Sequence, residues 1–486
     1  MPITQIPNWI DGREALPIEN VWIDKHNPHN GALLSRVADS SDADVHCAVS
    51  TAEHTFAAWS EVTPVKRGQI LGDLVEGMKQ HREALADCIA LETAKPPQDA
   101  QGEVNGAILQ GEFFAGEGMR LYGRSLTSGM IGKYSHTVRQ PRGIAGLIVP
   151  ANTPIANIAW KVFPALVCGN TVVLKASEDA PRVALLFAKI AKEAGLPDGV
   201  LNVVQGRGET TGASLVLDGR IGVISFTGST RVGRWIAEVA GKRLARVSLE
   251  LGGKNPFVVC DDADMEQSVH WASLSAFSNA GQRCASGSRL IIFRQVYDEF
   301  RQRLIAKANS LKLGVNADCD LGPVINQRQH RSILQALEQA RVEGGGILCG
   351  GGVPADPVLE KGYYIAPTVV EGLTPKAKMS CQEIFGPVTS MYSVENLAEA
   401  LHLANESEYG LTAAIHTRSV DRAMWFAQRV RAGVANINLG TYGSEPHMPF
   451  GGVGVSSNGT REPGVEALDV YSELKNISLF VRPNQL

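Results

Sequence analysis

Two stretches of the sequence carry side chains that could do covalent chemistry. Glu250 ends a largely apolar run and precedes a turn with two glycines, in the sequence Glu-Leu-Gly-Gly-Lys-Asn-Pro. Cys284 lies 34 residues further on, in the small polar loop Gly-Gln-Arg-Cys-Ala. A thiolate is a strong nucleophile toward an aldehyde carbon, and a carboxylate can take a proton from water or from the thiol. The separation leaves room for one helix, so we predict that nucleophile and base meet across a cleft.

A third chemical group follows the first strand of a predicted sheet. Asn152 lies in Val-Pro-Ala-Asn-Thr-Pro, and its amide could donate a hydrogen bond to a developing oxyanion, a contribution worth about 3 kcal/mol. Each of the three residues also has an ordinary interpretation when taken alone. Cys284 could be a small buried hydrophobe, Glu250 a solvated strand end, and Asn152 a turn residue between prolines.

Size, charge and composition bound the class of protein. The chain has 486 residues, more than one core can hold, so two or three packed units are expected. Its formal charge of −4 shows no basic excess, which argues against a nucleic-acid partner. The eight cysteines include no CxxC pair, and no His-rich spacing occurs, so we predict no metal site. Long apolar runs and an apolar leader are absent, so we expect no membrane association and a cytoplasmic protein.

The elements that must position these side chains follow an alternating strand and helix pattern between residues 144 and 250. Short, apolar, β-branched stretches predict an α/β fold with a doubly wound parallel sheet, which binds ligands at the carboxyl ends of its strands. The strands are predicted at 144–149, 171–175, 201–204, 221–226 and 247–251. A second α/β unit is predicted from strands near 290–293, 388–392, 413–416 and 434–437.

The N-terminal third predicts short strands followed by a helical cover, in which we identify no chemistry. Helices are predicted at 42–59, 67–78, 81–93 and 100–122, with Asp42 as the first N-cap. Two further strand patterns, at 129–142 and 470–481, have no evident partner nearby in the sequence.

Two turns at predicted strand ends could bind an adenine dinucleotide. Lys175 and Glu178 follow the second strand, where an ammonium and a carboxylate can bind two ribose hydroxyls. Gly228 and Ser229 join the fourth strand to a helix, whose first N–H groups suit a diphosphate. The glycine spacing is not GxGxxG, so the ordinary dinucleotide fingerprint is absent.

With these stretches and a late Pro-Phe-Gly-Gly-Val-Gly loop, the chain resembles the aldehyde dehydrogenase superfamily, in its NAD(P)-dependent, non-acylating branch, over nearly its whole length. The resemblance implies that Cys284 is the nucleophile and Glu250 the general base. It implies that Asn152 and the Cys284 backbone N–H hold the oxyanion. It also implies a site for NAD, with NADP as the alternative, formed by Lys175, Glu178, Gly208, Phe226, Gly228, Ser229, Leu251, Glu383 and Phe385.

The resemblance further implies a division of the chain into three parts. Residues 1–123 and 144–250 would form the NAD-binding domain, and residues 251–443 the catalytic domain. Residues 124–143 and 465–486 would form a small β segment that joins subunits into a homo-oligomer, a dimer or a tetramer. Two alternative functions stay open: a CoA-acylating relative, which Glu250 argues against, and a catalytically silent binding or structural member.

The side chains around the aldehyde bear on the substrate. By resemblance they are Thr153, Asn157, Trp160, Ser278, Arg283, Ala285 and Ser444. Five of these seven are polar or charged, and a buried apolar chain would leave them unpartnered at about 1–3 kcal/mol each. We therefore predict a small polar or acidic (semi)aldehyde, with Arg283 or His447 as an anion anchor. The alternative is that Arg283 points away into a structural ion pair.

Overall fold

The N-terminal part of the protein combines short strands with a helical layer. The computed structural model describes residues 3–482. The strands are β1 (Thr4–Ile6), β2 (Asn8–Ile10), β3 (Arg13–Ala15), β4 (Trp22–His26) and β5 (Leu33–Ala38). The helices are α1 (Asp42–Glu61), α2 (Pro64–Gln80), α3 (Arg82–Thr93) and α4 (Pro97–Glu117).

The predicted start of α1 was wrong by one residue. Ser41 is the N-cap, and Asp42 is the first helical residue. The side chain of Asp44 accepts a hydrogen bond of 2.9 Å from the backbone N–H of Ser41, which closes the first turn. Asp42 and Asp44 lie in that turn, where a negative charge interacts favourably with the helix dipole. An aspartate therefore suits the first turn as well as the N-cap, and the sequence pattern alone did not distinguish the two positions.

The first large sheet confirms the predicted doubly wound arrangement. After β6 (Ser125–Leu126) and β7 (Lys133–Pro141) come β8 (Ile144–Ile148), β9 (Thr171–Lys175), β10 (Leu201–Val204), β11 (Ile221–Thr227) and β12 (Arg246–Glu250). The accompanying helices are α5 (Pro154–Val167), α6 (Pro181–Glu193), α7 (Ala213–Leu217) and α8 (Thr230–Gly241). The sheet order is β12-β11-β8-β9-β10-β2-β3, in which β8 to β12 are parallel and β2 and β3 are antiparallel additions at one edge.

Both faces of this sheet are buried, which explains its continuous apolar runs. Ala145 and Leu147 of β8 pack into one core, while Ile144 and Ile148 pack into the core on the other face. The strand order reverses between β8 and β11, and a ligand crevice forms beyond the carboxyl ends of strands at such a reversal. The loop between β8 and α5, which contains Asn152, begins at this reversal of strand order.

The second large sheet follows the turn after Glu250. Its strands are β13 (Asn255–Val259), β14 (Gly287–Phe293), β15 (Gly346–Cys349), β16 (Thr368–Glu371), β17 (Val388–Val394), β18 (Thr412–His416) and β19 (Val434–Ile437). The helices are α9 (Met265–Phe277), α10 (Arg294–Ser310), α11 (Gln327–Val342), α12 (Lys378–Cys381), α13 (Leu397–Asn405) and α14 (Val420–Ala427). The order is β15-β16-β17-β14-β13-β18-β19, with only β15 antiparallel. The sequence analysis missed β13, because its start coincides with a glycine- and proline-containing turn.

A third, small sheet pairs segments that are far apart in the sequence. The chain ends with α15 (Ala467–Tyr471) and β20 (Ser472–Phe480), and β20 pairs with β7 in the order β20-β7-β6. The antiparallel register runs from Ser472 opposite Pro141 to Phe480 opposite Lys133. Each strand pattern that lacked a partner therefore has the other as its partner. Within residues 3–482, no helix is both long and apolar enough to cross a membrane.

Candidate active site

The three residues predicted to carry the chemistry come from three separate connections. Asn152 follows β8, Glu250 is the last residue of β12, and Cys284 lies between α9 and β14. Cys284 and Asn152 both line one cavity of about 460 Å³. Burial raises the pKa of the Cys284 thiol to about 12, and the neighbouring carboxylates of Glu383 and Glu250 add to the rise. The structure thus brings Cys284 and Asn152 together at one cavity, with Glu250 near enough for its charge to act on the thiol, and the thiol must lose its proton to become a nucleophile.

The Gly-Gly turn after Glu250 lets the loop of Cys284 approach closely. A Cβ atom at Gly253 would lie 2.3 Å from the backbone oxygen of Cys284, which is closer than a side chain can fit. Asn255 donates from its side-chain amide to the backbone oxygens of Cys284 and Ser286, both at 2.8 Å. The turn after Glu250 therefore packs against the loop of Cys284 and holds it by hydrogen bonds. These contacts give a physical reason for the glycines and the asparagine of the turn.

The carboxylate of Glu250 is buried without a partner. Only 3% of the residue is exposed, and neither carboxylate oxygen has a hydrogen-bond partner among residues 3–482. Burial raises its pKa well above the usual range for a glutamate, and the charge of Glu462 adds to the rise. Gly451 makes room for the group, because a Cβ atom there would lie 2.8 Å from Oε1 of Glu250. An unpaired buried carboxylate is costly, and this one is ready to accept a proton.

Behind Glu250 lies a buried ion pair that the sequence analysis missed. Lys161 Nζ and Glu462 Oε2 are 2.6 Å apart, and both side chains are fully buried. Ser225 and Ser248 donate to Glu462 Oε1 at 2.7 and 2.8 Å. After burial, Glu462 is the largest influence that raises the pKa of Glu250, and Lys161 opposes it. The available signal was Lys161 itself, the only charged residue of the largely apolar helix α5.

The side chain of Asn152 points to the cysteine loop. Its Nδ2 donates to the backbone oxygen of Gln282 at 2.8 Å, and its Oδ1 is buried without a partner among the described residues. The structure gives the second N–H of this amide no acceptor in residues 3–482, so it is available to a bound ligand. The backbone oxygen of Asn152 accepts from Lys95 Nζ at 2.9 Å and from Asn279 Nδ2 at 3.1 Å.

The residues predicted to bind the adenosine ribose lie at the carboxyl edge of the first sheet. Lys175 ends β9, and its Nζ lies 3.1 Å from Glu178 Oε2. Burial by itself would raise the pKa of Glu178, but Lys175 and hydrogen bonds hold it below the usual range. Glu178 is therefore ionised at neutral pH and can accept from a sugar hydroxyl. Gly208 follows β10 at the same edge and begins a short irregular helical segment.

The remaining predicted cofactor residues line the next part of the same edge. The Phe226 ring packs on Gly228, where a Cβ atom would lie 2.4 Å from the ring. Ser229 caps α8 by accepting from the backbone N–H of Val232 at 3.4 Å, and Leu251 is buried directly after β12. A helix start without a bulky residue before it suits a diphosphate.

Glu383 and Phe385 come to the site from the second sheet. Glu383 Oε1 accepts from the backbone N–H of Gly253 at 3.1 Å, and burial raises its pKa to about 7. Phe385 has a positive φ of 56°. Gln329 holds this segment by donating to the backbone oxygens of Ile384 and Phe385 at 2.9 and 3.0 Å. Glu383 therefore contacts the turn after β12, at the same edge of the first sheet as the other predicted cofactor residues.

Five of the seven predicted aldehyde residues line the cavity that holds Cys284: Thr153, Trp160, Arg283, Ala285 and Ser444. The other two stand behind this wall. Asn157 Nδ2 donates to the backbone oxygen and the hydroxyl of Thr153, both at 2.9 Å. Ser278 accepts from Arg283 Nε at 3.3 Å. Asn157 and Ser278 therefore support cavity residues rather than lining the cavity, because each side chain is used by a neighbour.

Arg283 forms no ion pair with a carboxylate among residues 3–482. Its guanidinium lies over the Tyr442 ring, 4.9 Å from the centroid, and faces the cavity. Burial raises the pKa of Asp99, which lines the same cavity, and the charge of Arg283 opposes that rise. His447, the second suggested anion anchor, is exposed and does not line the cavity. The alternative of a structural ion pair for Arg283 was wrong.

The N-terminal cover forms one wall of this cavity, which the sequence analysis did not predict. Lys95, Asp99 and Glu103 come from the loop before α4 and from α4, and all three line the cavity with Cys284. The three residues are spaced four apart, as on an ordinary surface helix. Only the tertiary structure shows that they face the cavity of Cys284.

Comparison with known proteins places the chain in a family. The model of the aldehyde dehydrogenase family matches residues 17–477. The chain is 35% identical to the alpha-ketoglutaric semialdehyde dehydrogenase of Bacillus subtilis strain 168 over 480 residues, which cover 98% of both chains. It is 38% identical to retinaldehyde dehydrogenase 3 of Mus musculus over 462 residues, which cover 93% of this chain and 89% of that one.

Solved structures share the whole architecture. The structure of PnpE in complex with nicotinamide adenine dinucleotide has a TM-score of 0.96 at 37% identity and covers 98% of both chains. Betaine aldehyde dehydrogenase from Staphylococcus aureus, in complex with NAD+, has a TM-score of 0.96 at 31% identity and covers 99% of this chain and 96% of that one. The chain therefore belongs to the aldehyde dehydrogenase family and is an NAD(P)-dependent aldehyde dehydrogenase.

Proposed function

We propose that the protein oxidises an aldehyde to its carboxylate through a covalent intermediate on Cys284. The observation that carries the proposal is the meeting of Cys284 and Asn152 at one cavity, beside the unpartnered carboxylate of Glu250. The thiol loses its proton to water, and its sulfur forms a bond to the carbonyl carbon. The amide of Asn152 and the backbone N–H of Cys284 stabilise the negative oxygen, a contribution of about 3 kcal/mol for one such donor.

The second half of the reaction uses the carboxylate of Glu250. A nicotinamide cofactor would supply the hydride acceptor, and loss of hydride from the thiohemiacetal carbon would leave a thioester on Cys284. Glu250 then takes a proton from water, the resulting hydroxide adds to the thioester carbon, and the sulfur leaves to give the carboxylate product. A buried base supports hydrolysis over transfer to coenzyme A, which would need no activated water. Retention of nucleophile, base and amide argues against a catalytically silent member.

Mass spectrometry of the intact protein tests this covalent mechanism. Glu250→Gln enzyme mixed with aldehyde and NAD should carry an acyl group on Cys284, because hydrolysis is slowed after hydride transfer. Cys284→Ser enzyme, as the matched control, should carry none. An unmodified Glu250→Gln protein that still turns over would contradict the mechanism, and rapid loss of the acyl group on addition of coenzyme A would favour the acylating alternative.

We further propose NAD as the preferred cofactor. The carboxylate of Glu178 is held ionised beside Lys175 at the ribose position of the crevice. It can accept from a free 2′-hydroxyl but would repel the charge of a 2′-phosphate at short range. A preference for NADP would require Lys175 to leave Glu178 and turn toward the 2′-phosphate. The solved relatives in complex with NAD support the same choice.

The substrate that fits the cavity best is a small polar or acidic semialdehyde. Arg283 faces a cavity of about 460 Å³ with no carboxylate partner of its own among the described residues, so a substrate carboxylate would supply one. Relatives named as alpha-ketoglutaric or alpha-ketoglutarate semialdehyde dehydrogenases are 35% and 36% identical to the chain. Retinaldehyde dehydrogenases are equally similar, so overall identity does not decide between acidic and apolar aldehydes. The unpaired guanidinium favours the acidic class.

We also propose that residues 1–123 and 144–250 form the NAD-binding domain and residues 251–443 the catalytic domain. We propose that the protein is a homo-oligomer, a dimer or a tetramer, joined through residues 124–143 and 465–486. Strand β20 lies at the edge of its sheet as far as the structure describes it. It exposes Leu474, Leu479 and Phe480, each more than half exposed. An exposed apolar edge strand is a site for pairing with another chain. Light scattering measures the mass, and a monomer would contradict the proposal.

A further inference from the structure

We infer that the buried ion pair of Lys95 and Glu103 positions the Asn152 amide for the reaction. The two residues come from the helical cover, and Lys95 Nζ lies 2.6 Å from Glu103 Oε2. Each side chain is only 5% exposed. The inference rests on the proposed role of Asn152 in binding the oxyanion, and it assigns a task to two residues outside the proposed catalytic group.

Lys95 holds the turn of Asn152 from one side. Its ammonium donates to the backbone oxygen of Asn152 at 2.9 Å, a charge-assisted hydrogen bond. Asn279 Nδ2 donates to the same oxygen at 3.1 Å. The peptide that follows the Asn152 side chain is thus fixed by two donors from different parts of the chain. The amide is then directed at the cysteine loop, where it donates to the backbone oxygen of Gln282.

Glu103 holds the same turn from the other side. Helix α5 begins at Pro154, and its N-cap residue Thr153 forms no side-chain capping hydrogen bond. Instead, Glu103 Oε1 accepts from the backbone N–H groups of Ile155 and Ala156 at 3.0 and 3.4 Å. A carboxylate at a helix N-terminus satisfies free N–H groups and favours the helix dipole. Glu103 therefore caps α5 from a neighbouring helix.

The pair is placed for catalysis rather than for packing. Lys95 and Glu103 line the same cavity as Cys284 and Asn152. A buried ion pair is a weak source of stability, because desolvation of both charges offsets their attraction. Here each charge makes its remaining hydrogen bonds to the turn between Asn152 and α5. Loss of either charge should therefore let the amide move and slow the chemistry while the cofactor crevice stays intact.

The test measures how Lys95→Met and Glu103→Gln act alone and together with Asn152→Ala in the full-length enzyme. We measure kcat and KM with a neutral aldehyde, propanal, and with an acidic one, succinate semialdehyde, and NAD affinity by calorimetry. Lys79→Met is the matched control, because it removes a lysine of α2 that pairs with Glu76 and with Glu112 of α4, both at 2.7 Å, without a hydrogen bond to the turn of Asn152. Lys95→Arg is the conservative variant, since a guanidinium can still donate to the Asn152 oxygen.

We expect each single variant to lower kcat about 10- to 100-fold for both aldehydes, as for loss of one charged hydrogen bond. NAD affinity should stay within twofold, Lys79→Met should match the parent, and Lys95→Arg should recover part of the rate. In the Asn152→Ala background, Lys95→Met should lower kcat less than threefold further, because its effect passes through that amide. Glu103→Gln keeps an acceptor oxygen for α5, so it serves if Lys95→Met does not fold.

Three outcomes would overturn the inference and leave the proposed function standing. They are an unchanged kcat in both single variants, a full multiplicative loss in the Asn152→Ala background, and an effect confined to KM of the acidic aldehyde. The last would mean that Lys95 contacts the substrate carboxylate directly. An unchanged kcat in Asn152→Ala alone would overturn the oxyanion role of Asn152, and the inference with it.

Discussion

The side-chain amide of Asn255 donates a hydrogen bond of 2.8 Å to the backbone oxygen of Cys284. Asn255 begins β13, directly after the turn that follows Glu250. The short stretch of backbone from Glu250 to Asn255 therefore carries the proposed base and holds the loop of the proposed nucleophile. The connection is local, and it links the end of β12 in the first sheet to the loop that precedes β14 in the second sheet. The predictions below depend on that arrangement.

The first prediction concerns the nucleophile. Cys284→Ser should lower aldehyde oxidation by at least about a thousandfold, because the hydroxyl is a far weaker nucleophile than a thiolate. Cofactor affinity, measured by calorimetry, should not change. Cys47→Ser is the control, because Cys47 is an exposed thiol on α1. Substantial turnover by Cys284→Ser would assign the chemistry to another group.

The second prediction concerns the order of steps at Glu250. Glu250→Gln should lower steady-state kcat about 10²- to 10⁴-fold, as for loss of a general base, yet retain a burst of one reduced nicotinamide per subunit. The burst reports hydride transfer, and its absorbance is measured in a stopped-flow instrument. A burst that slows as much as the steady state would show that the carboxylate also activates the thiol. Unchanged steady-state turnover would exclude Glu250 as the base.

The third prediction concerns pH. Glu250 accepts protons only when ionised, and burial raises its pKa above the ordinary 4.5. The value of kcat should therefore fall as pH drops through that raised pKa, by up to about tenfold per pH unit. In Glu250→Gln this acid limb should disappear. An identical limb in the variant would assign it to another group, such as Glu383, whose pKa is raised by burial to about 7.

The fourth prediction concerns the choice of cofactor. The parent enzyme should show at least about tenfold higher kcat/KM for NAD than for NADP, because Glu178 repels a 2′-phosphate. Glu178→Gln should reduce this ratio about tenfold by removing the charge. Glu238→Gln, an exposed acid of α8 paired with Lys242, is the control. A parent enzyme that prefers NADP would mean that Lys175 faces a phosphate.

The fifth prediction concerns the substrate. Succinate semialdehyde should have a higher kcat/KM than hexanal or benzaldehyde in the parent enzyme. Arg283→Met should raise KM for succinate semialdehyde about 10- to 100-fold, as for loss of a hydrogen bond to a charged group. The KM of this variant for hexanal should stay within twofold of the parent value, so hexanal serves as the internal control. A tenfold preference of the parent for hexanal or benzaldehyde would show that the cavity selects apolar aldehydes.

The sequence alone determined the two large α/β units and the residue types at the site. The strands at 171–175, 201–204 and 434–437 were predicted with their observed bounds, because buried parallel strands need continuous apolar runs. The nucleophile loop and the turn after Glu250 were also evident, since close approach requires glycine and the chemistry requires a thiol and a carboxylate. These are local demands, so local sequence shows them.

Only the tertiary structure decided which distant residues meet. Strand β20 pairs with β7, and Lys161 pairs with Glu462. Lys95 and Glu103 reach the turn of Asn152 from the loop before α4 and from α4, a region that the sequence predicted as helical cover. It also turned Arg283 toward the cavity and left Asn157 behind Thr153. Local periodicity fixes the face that a helix or strand buries, but the partner on that face depends on the path of the whole chain.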